Sequence, residues 1–485
     1  MDLEVAAFIS TSLFFFIIAI KLENSIKRSL FLWGFYIFAA LAFLTKGMIG
    51  IVFPCIIIVS WIVIPLGFNF AASLLTRIRS NIKRPTFCGL SSFISSYQIK
   101  FLEYINVLKN LHLISGLIIF GLIALPWFIL EQNSNPEFFH YFFVTQHFTR
   151  FLTKNFNNPN PFWFYLPVIF IGLIPYTIFL GQAIWQKITL ISVKCERKCY
   201  QTELFLLLWL LLILVFFSIP LSKLIGYILP IIPPIALLIA AYLDSALSSS
   251  KITGIKISIY IYTILFLVVA IILFYLPLFK ITFGINIFDL KGYCYFAAAI
   301  FFCSSLVMFF FSYRKKWLQI IIALMLTSVM VDIALFVAIP KLGFKSAKPL
   351  AITLNSLLQP NDAVVVFYDY FYDLPVYIQQ SVFIVEDWDL YKNKDTDDWR
   401  ALFISASQFK GSQKEWLINI QQLQNLWHSK RVFIIAKKEQ LMGLAFLLDK
   451  KIIPLKEYQG KVLITNTSFK NPPFTTDKSK YWHNY

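Results

Sequence analysis

Ten long apolar stretches constrain the fold of this chain more than any other feature of its sequence. Each is about 17 to 25 residues long, the length at which an α-helix crosses the hydrocarbon core of a bilayer. Only 14% of the residues are charged, whereas soluble domains have about 25%. We therefore expect a polytopic α-helical membrane protein with about ten transmembrane helices. The stretches centre on 3–20, 29–45, 48–66, 113–130, 162–184, 203–219, 224–243, 257–277, 293–312 and 317–339.

The basic residues are distributed unequally between the two sets of loops that alternating spans create. If residues 21–28 are cytoplasmic, the loops on that side contain 18 Lys and Arg, and the opposite loops up to residue 340 contain six. Because Lys and Arg accumulate on the cytoplasmic side, this split predicts the orientation. It also accounts for the net charge of +18 without a nucleic-acid partner. We expect a multi-pass protein of the inner membrane of a Gram-negative cell.

The segment after residue 340 differs in composition from the apolar part. Four β-rich runs, at 363–368, 382–385, 432–435 and 462–464, alternate with helix-like stretches at 349–358, 412–427 and 438–448. None of the six cysteines lies after Cys303, so disulfides are not expected to hold this segment together. We predict a membrane domain over 1–340 and a small soluble α/β domain over 341–485, on the periplasmic side.

The chain enters its first apolar stretch directly from Met1-Asp2-Leu3-Glu4, without the positive charge that usually starts a secretory signal. We expect a chain shortened at its N-terminus, a misassigned start codon, or the second half of a split gene. A polypeptide encoded upstream is therefore an expected partner.

Two lysines lie at the predicted outer surface of the membrane. Lys46 ends one apolar stretch and is followed by Gly47, which permits close backbone approach to a ligand. Lys223 occupies a similar position, and Ser222 and Tyr227 add hydroxyl groups nearby. The alternative for Lys46 is an anchor whose ammonium reaches the headgroup region. Together these residues predict an anion held at the outer leaflet, and a polyprenyl phosphate is the natural candidate.

The outer loop 131–161 contains three more residues with suitable chemistry. His140, His147 and Arg150 are spaced by seven and three, so one face of an α-helix would carry all three. Arg binds phosphate through two hydrogen bonds, and imidazoles ligate metals or donate to phosphate oxygens. His140 and His147 are candidate ligands of a divalent metal, Zn or Mg, although two histidines do not complete a site. The alternative is an amphipathic helix lying in the interface.

The chain contains several motifs whose order and spacing, over about residues 1–235, resemble one glycosyltransferase group. This is the bacterial 4-amino-4-deoxy-L-arabinose (lipid A) transferase group of the dolichyl-phosphate-mannose protein mannosyltransferase-like family. The motifs are Phe43-Leu44-Thr45-Lys46-Gly47, Pro126-Trp127, Asn135-Pro136, His147-Phe148-x-Arg150-Phe151, Pro161-x-Trp163-Phe164-Tyr165-Leu166-Pro167, Ser222-Lys223-Leu224 and Tyr227-x-Leu229-Pro230.

The resemblance implies a GT-C type fold and an inverting transferase that uses a polyprenyl-phosphate sugar on the periplasmic side. The acceptor would be lipid A or a similar glycolipid. Lys46 and Arg150 would bind the donor phosphate, Lys223 would support the same headgroup, and His147 or His140 would assist near the phosphate or a metal. Asp2 lies where the family has an acidic residue facing the catalytic cavity.

The resemblance also places the main general base in a first outer loop, which would lie upstream of Met1. Three other interpretations remain open. A non-catalytic fragment, or half of a split transferase, would bind lipid phosphate without transferring sugar. A transporter would use ionisable groups near the middle of its spans, and Asp332 is the one acidic residue that lies well inside a predicted span. A metal-dependent nucleotide-sugar transferase would use the carboxylates at 395–398, which are more typical of a solvated loop.

Overall fold

A computed structural model of the chain describes eleven ranges of residues. These are 2–23, 25–64, 111–149, 159–193, 201–249, 252–278, 291–339, 346–391, 398–407, 414–448 and 452–467. The chain divides into two compact units, one of residues 1–264 with 307–324 and one of 265–306 with 325–485. The domain boundary at residue 340 stays a prediction.

Within the described ranges, eight helical segments are long and apolar enough to cross a membrane. They are α1 (Asp2–Lys21), α2 (Ile26–Lys46), α4 (Leu113–Ser134), α7 (Gln201–Ser218), a 3₁₀ helix (Ile225–Ile231) continued by α8 (Ile232–Ser248), α9 (Thr253–Tyr275), α10 (Lys291–Tyr313) and α11 (Trp317–Ala338). The predicted polytopic helical fold is confirmed.

The two remaining predicted spans take other forms. One is the shorter helix α3 (Ile49–Ile64). The other divides into α5 (Tyr165–Gly172) and α6 (Thr177–Val193), with a bend of 112° between them. Pro175 lies in the break, and proline lacks the N–H that a continuous helix needs. The Thr177 hydroxyl donates to the carbonyl oxygen of Phe170 at 2.7 Å, which satisfies one of the groups that the break leaves open.

The helices α1 and α2 form an antiparallel hairpin with closely spaced backbones. Gly34 allows this approach, because a Cβ there would lie 2.3 Å from the ring of Phe15. The Ser12 hydroxyl also donates to the carbonyl oxygen of Phe35 at 3.1 Å. Small residues and hydroxyl groups are typical of helix contacts in membranes, where apolar burial alone does not drive association. The hairpin places the first residue of α1 beside the last residue of α2.

The C-terminal part contains a six-stranded sheet in the order β3-β2-β1-β4-β6-β5. Strands β1 to β4 are parallel, and β6 and β5 are antiparallel to their neighbours β4 and β6. The strands are β1 (Ala363–Phe367), β2 (Phe383–Val385), β3 (Leu417–Ile418), β4 (Val432–Lys437), β5 (Ile453–Tyr458) and β6 (Lys461–Thr465).

Helices cover both faces of this sheet, as the continuous apolar run of β1 requires. One core contains Val364 and Val366 with α12 (Lys348–Asn355), α13 (Leu374–Ile378) and α14 (Trp399–Ser407). The other contains Val365 and Phe367 with α15 (Ile420–Ser429) and α16 (Leu441–Leu447). The predicted small α/β domain is therefore confirmed as a fold, and its periplasmic location stays a prediction.

All four predicted strands are present, and one predicted helix is wrong at its beginning. The helix-like stretch 412–427 contains β3, and α15 begins only at Ile420. Asn419 fixes this start, because its side chain accepts from the backbone N–H of Gln422, whose side chain accepts from the backbone N–H of Asn419. Such a capping box begins a helix more sharply than hydrophobic periodicity indicates.

Candidate functional site

Asp2 and Lys46 form an ion pair at one end of the α1–α2 hairpin. Asp2 is the first residue of α1, and Lys46 is the last residue of α2. Gly47 ends α2, with a φ of 72° and a backbone N–H that donates to the Phe43 carbonyl oxygen at 2.7 Å. The side chains of Asp2 and Lys46 keep 35% and 29% of their surface exposed, so a ligand can reach the pair.

The 3₁₀ helix completes the site from a third direction. The ammonium of Lys46 lies 4.5 Å from the centroid of the Tyr227 ring. The ring of Phe217 also packs against the Tyr227 ring, with centroids 5.2 Å apart. Gly226 lies directly against Asp2, because a Cβ at this position would be 2.6 Å from Oδ2 of that carboxylate. A cation is therefore held between a carboxylate and an aromatic face.

Replacing Gly226 by alanine is expected to displace the Asp2 carboxylate from its position beside Lys46. The added methyl group needs space that the carboxylate occupies, so the ion pair has to rearrange. We expect slower sugar transfer, because Asp2 is moved from its place beside the donor. Donor binding should be no weaker, because the carboxylate that competes for the Lys46 ammonium is displaced, and the thermal stability of the purified protein should change little. Gly172→Ala is the matched control, because a Cβ there meets nothing within 4 Å. Equal activity of the two variants would contradict this role of Gly226.

Lys223 lies in a different environment from Lys46. It is 2% exposed, and its ammonium donates to the carbonyl oxygens of Asn160, at 2.9 Å, and of Pro220. Burial lowers its pKa from the usual value. A phosphate contact by Lys223 stays a prediction, and it would require access to an ammonium that two carbonyl groups already hold.

The segment around Lys223 is held by contacts with the first residue of α5 and with the residues that precede this helix. Ser222 forms an isolated antiparallel bridge with Pro159, and the backbone N–H of Asn160 donates to the Leu221 carbonyl oxygen at 3.0 Å. The buried hydroxyl of Tyr165 donates to the carbonyl oxygen of Leu224 at 3.0 Å. These bonds hold the chain that leads into the 3₁₀ helix, and they thereby position Tyr227.

The difference between the two lysines predicts different reactivity toward an amine-acylating reagent. Lys46 should react readily in the purified protein, whereas Lys223 should react more slowly by about an order of magnitude, because its reaction requires local opening. Mass spectrometry of peptides after brief labelling measures both rates in one sample. Labelling of Lys223 as fast as Lys46 would show that its ammonium is accessible after all.

The residues His140–Thr149 form a π-helix rather than the expected α-helical face. The hydrogen bonds of a π-helix join residues five apart and widen each turn. His140 and His147, which are seven residues apart, are therefore separated by roughly one and a half turns. Side-chain contacts share this spacing, because Gln146 Nε2 donates to the Tyr141 hydroxyl at 3.0 Å. Two rings of the π-helix, Phe142 and Phe143, pack against Phe128 of α4, at 5.5 and 5.8 Å.

The π-helix packs near the end of α2 that carries the ion pair. The rings of Phe143 and Phe43 are 6.4 Å apart, and Phe43 precedes Lys46 by three residues. His140 is exposed. The side chain of His147 and the whole of Arg150 lie outside the described residues, so their predicted phosphate contacts stay predictions.

The predicted metal site would need a third ligand beside His140 and His147. Among the residues that the structure describes, no three His, Cys, Asp or Glu side chains form a group that could hold a metal ion. His140 alone of the two predicted ligands has a described side chain. These residues do not supply a complete ligand set, and we derive no chemical step through a metal.

The structure thus brings together Asp2, Lys46 and Tyr227 from three separate helices. It adds Gly226, whose close approach to Asp2 the sequence does not reveal. It also adds Asn160 and Tyr165, which hold the backbone of residues 221–224 in place. In the sequence, these two contacts were indicated only by the motifs at 161–167 and 222–224, which place polar groups within otherwise apolar segments.

The chain is similar in sequence to known transferases over part of its length. It is 30% identical over 265 residues to an undecaprenyl phosphate-alpha-4-amino-4-deoxy-L-arabinose arabinosyl transferase from Aeromonas hydrophila, covering 53% of this chain and 39% of that protein. It is 41% identical over 122 residues to such a transferase from Sodalis glossinidius, covering 25% of this chain and 21% of the relative. No family model matches the chain.

One solved structure with a similar fold is ArnT from Cupriavidus metallidurans bound to undecaprenyl phosphate. The TM-score is 0.69 at 20% identity, over 96% of this chain and 74% of that chain. The predicted GT-C type fold is confirmed by this likeness, and the predicted resemblance to the 4-amino-4-deoxy-L-arabinose transferases is confirmed by the sequence comparisons. The chain spans about two fifths of the Aeromonas relative's length.

Proposed function

We propose that this chain takes part in transferring a sugar, of the 4-amino-4-deoxy-L-arabinose type, from a polyprenyl-phosphate carrier to lipid A or a similar glycolipid. The observation that carries the proposal is the partly exposed Lys46 side chain, whose ammonium is held by Asp2 and Tyr227 where the α1–α2 hairpin ends. The similarity to enzymes named as undecaprenyl-phosphate arabinosyl transferases supports the same chemistry. The fold shared with a transferase that binds undecaprenyl phosphate is consistent with it.

The reaction needs a positive charge at the donor phosphate. The bond between the anomeric carbon of the sugar and the phosphate oxygen breaks, while the acceptor oxygen forms a new bond to that carbon. The acceptor proton passes to a base, and the polyprenyl phosphate leaves with one more negative charge. A fixed ammonium stabilises this developing charge more strongly in a poorly hydrated site than in water. Lys46 is the described residue with the position and exposure for this task.

Asp2 neutralises the positive charge of the donor site before the donor binds. Its carboxylate compensates the Lys46 ammonium, and a donor phosphate would take over that contact. Donor binding is then an exchange of one anion for another around Lys46, which leaves Asp2 facing the bound donor. A carboxylate released in this way can accept a proton or orient the acceptor, and this is the catalytic role that we assign to Asp2.

The test is transfer of radiolabelled sugar from a polyprenyl-phosphate donor to lipid A by the purified chain. The assay is run with the chain alone and with the polypeptide encoded immediately upstream. Activity in either preparation supports the proposal and shows whether a second polypeptide is needed. Donor binding without transfer in both preparations would favour a non-catalytic, lipid-phosphate-binding protein. Absence of donor binding would contradict the proposed site itself.

We further propose that the C-terminal domain lies in the periplasm and that the chain is in the inner membrane. The charge distribution of the loops supports this orientation. A cysteine introduced at the exposed position Ser429 should react with a membrane-impermeant maleimide in cells whose outer membrane alone is permeabilised. The parent chain is the control for its own cysteines. Labelling only after the inner membrane is opened would reverse the proposed orientation.

A further inference from the structure

The connections of the C-terminal sheet change direction at the carboxyl ends of β1 and β4. Both strands are parallel and adjacent, and β1 lies between β2 and β4. The helices after β1 and β2 pack on one face, whereas α15 and α16, before and after β4, pack on the other. The chains leaving β1 and β4 therefore turn to opposite faces. Ligands of open α/β sheets bind at such a position.

Tyr368, the residue directly after β1, has an unusual backbone conformation at this edge. Its φ is 49°, in the left-handed region that bulky residues rarely adopt. Its backbone N–H donates to the Val385 carbonyl oxygen at 3.0 Å, which holds it against the end of β2. Strained residues of this kind cluster at functional sites, where the surrounding structure over-determines them.

The phenol of Tyr368 lies close to the carboxylate of Asp387, an exposed residue that follows β2. Burial and, to a smaller extent, the nearby Asp387 carboxylate raise the pKa of Tyr368 to about 12. The phenol therefore keeps its proton over the physiological range. It presents a fixed hydroxyl beside a carboxylate that retains contact with solvent.

Arg400 holds the two chain segments that carry this pair. Its Nε is paired with the carboxylate of Glu386, which is 3% exposed, and its Nη2 donates to the Tyr368 carbonyl oxygen at 3.4 Å. The guanidinium lies 4.5 Å from the ring of Trp399. Arg400 is thus a positioning residue that fixes the backbone after β1 and after β2.

Aromatic rings continue from this pair across the same edge. Tyr370 stacks on Trp399 at 6.0 Å, and Tyr372 meets Tyr370 at 4.9 Å with a 67% exposed ring. On the β4 side, Lys461 is opposite Lys437 and has its ammonium 4.0 Å from the Phe371 ring. Lys461 is 6% exposed, so its ammonium supports Phe371 rather than facing solvent. The edge therefore combines a hydrogen-bond acceptor, a hydroxyl and accessible aromatic surface.

The residues at this edge argue against a nucleotide as the ligand. Nucleotide sites of similar sheets use a glycine-rich turn after the first strand, so that backbone can approach the pyrophosphate. The turn here reads Tyr368-Asp369-Tyr370-Phe371, with large side chains at three positions. The carboxylates of Asp369 and Asp387 would also repel phosphate. A hydroxyl-rich, weakly charged ring that stacks on aromatic side chains is a better match.

We infer that the carboxyl edge of the C-terminal sheet is a saccharide-binding site in which Tyr368 and Asp387 hydrogen-bond sugar hydroxyls and the Tyr370–Tyr372 rings pack against the sugar ring. The site is built from residues of this sheet and its loops. It does not depend on the proposed transferase activity, and a free saccharide or the sugar headgroup of a glycolipid would satisfy the same contacts.

The experiment measures binding of a radiolabelled glucosamine disaccharide to the full chain in lipid nanodiscs. We expect saturable binding that Asp387→Asn and Tyr368→Phe each weaken by about tenfold, because each change removes a hydrogen bond from the site. Tyr377→Phe is the matched control, since it also removes a phenol hydroxyl, and Tyr377 lies within α13, where its backbone carbonyl oxygen accepts from the Asn355 side chain of α12. Its affinity should equal that of the unmodified chain.

Two further arms identify the ligand and separate this site from the donor site. Lipid A in the same nanodiscs, used as a competitor, displaces the disaccharide if the glycolipid headgroup binds the same residues; failure to compete makes the free saccharide the ligand. Lys46→Ala should leave binding unchanged even if it abolishes transfer. Absence of saturable binding, or unchanged affinity in both Asp387→Asn and Tyr368→Phe, would overturn the inference. Hydrogen exchange in β1 and β4 checks that the variants remain folded.

Discussion

Replacing Lys46 by alanine is expected to lower sugar transfer by roughly 100- to 1,000-fold, the usual cost of removing one preorganised charge-stabilising donor. The ammonium of this partly exposed side chain lies between Asp2 and Tyr227. Its removal leaves the Asp2 carboxylate at the place where the donor phosphate has to bind, so attraction is replaced by repulsion. Both the donor affinity and kcat should fall, which a steady-state assay with varied donor concentration measures.

Two variants make this result specific. Lys21→Ala removes the same charge from the opposite end of α1 and should transfer sugar at close to the normal rate. Asp2→Asn with Lys46 intact should bind donor more readily, because no carboxylate competes for the ammonium, and yet transfer more slowly if Asp2 handles the acceptor proton. Normal kinetics in Lys46→Ala would remove Lys46 from the donor site.

Replacing Arg431 by methionine is expected to destabilise the C-terminal sheet by about 3 kcal/mol, as breaking a buried ion pair does. Arg431 Nη2 lies 3.2 Å from the Asp362 carboxylate, whose side chain is 4% exposed. The guanidinium also donates to the Leu357 carbonyl oxygen. Without it, a buried carboxylate loses its countercharge. Hydrogen exchange of the amides in β1 and β4 measures the change in local opening free energy.

A double variant shows whether the uncompensated charge causes this loss. Asp362→Asn removes the charge but keeps an oxygen that can accept from the Gln359 backbone N–H, a bond of 2.7 Å in the structure. Combining it with Arg431→Met should therefore recover a large part of the lost stability. If the double variant is as unstable as Arg431→Met, the loss comes from packing against Phe433, 5.1 Å from the guanidinium, rather than from charge.

The membrane helices were predictable because apolar length is a local property of the sequence. The site was predictable in part for a similar reason. Lys46 and Tyr227 are polar groups at the ends of apolar segments, and such positions indicate function in membrane proteins. Asp2 was predicted as a site residue from the resemblance to the transferase family. What no local pattern indicates is that residues 2, 46 and 227 meet, since this depends on how α1, α2 and the 3₁₀ helix pack.

The environment of Lys223 depends on longer-range structure. Its sequence context resembles that of Lys46, yet Ser222 pairs with Pro159 and the ammonium turns inward to two carbonyl groups. The π-helix was also hidden, because the aromatic run 138–143 fits an α-helical pattern equally well. Strand β5 was missed because Pro454, Lys456 and Glu457 interrupt its apolar residues.

The helices α5 and α6 meet at a 112° bend beside Pro175. Whether this bent pair crosses the membrane decides on which side of the membrane every later loop lies. A bent pair either crosses the bilayer once or enters and leaves on the same side, and the two cases differ in the parity of crossings. If α5 and α6 did not cross, every later loop would change sides, and each side would carry 12 Lys and Arg up to residue 340. The asymmetry of 18 to six exists only if the pair crosses. The orientation of the C-terminal domain therefore depends on one bend in the fifth span.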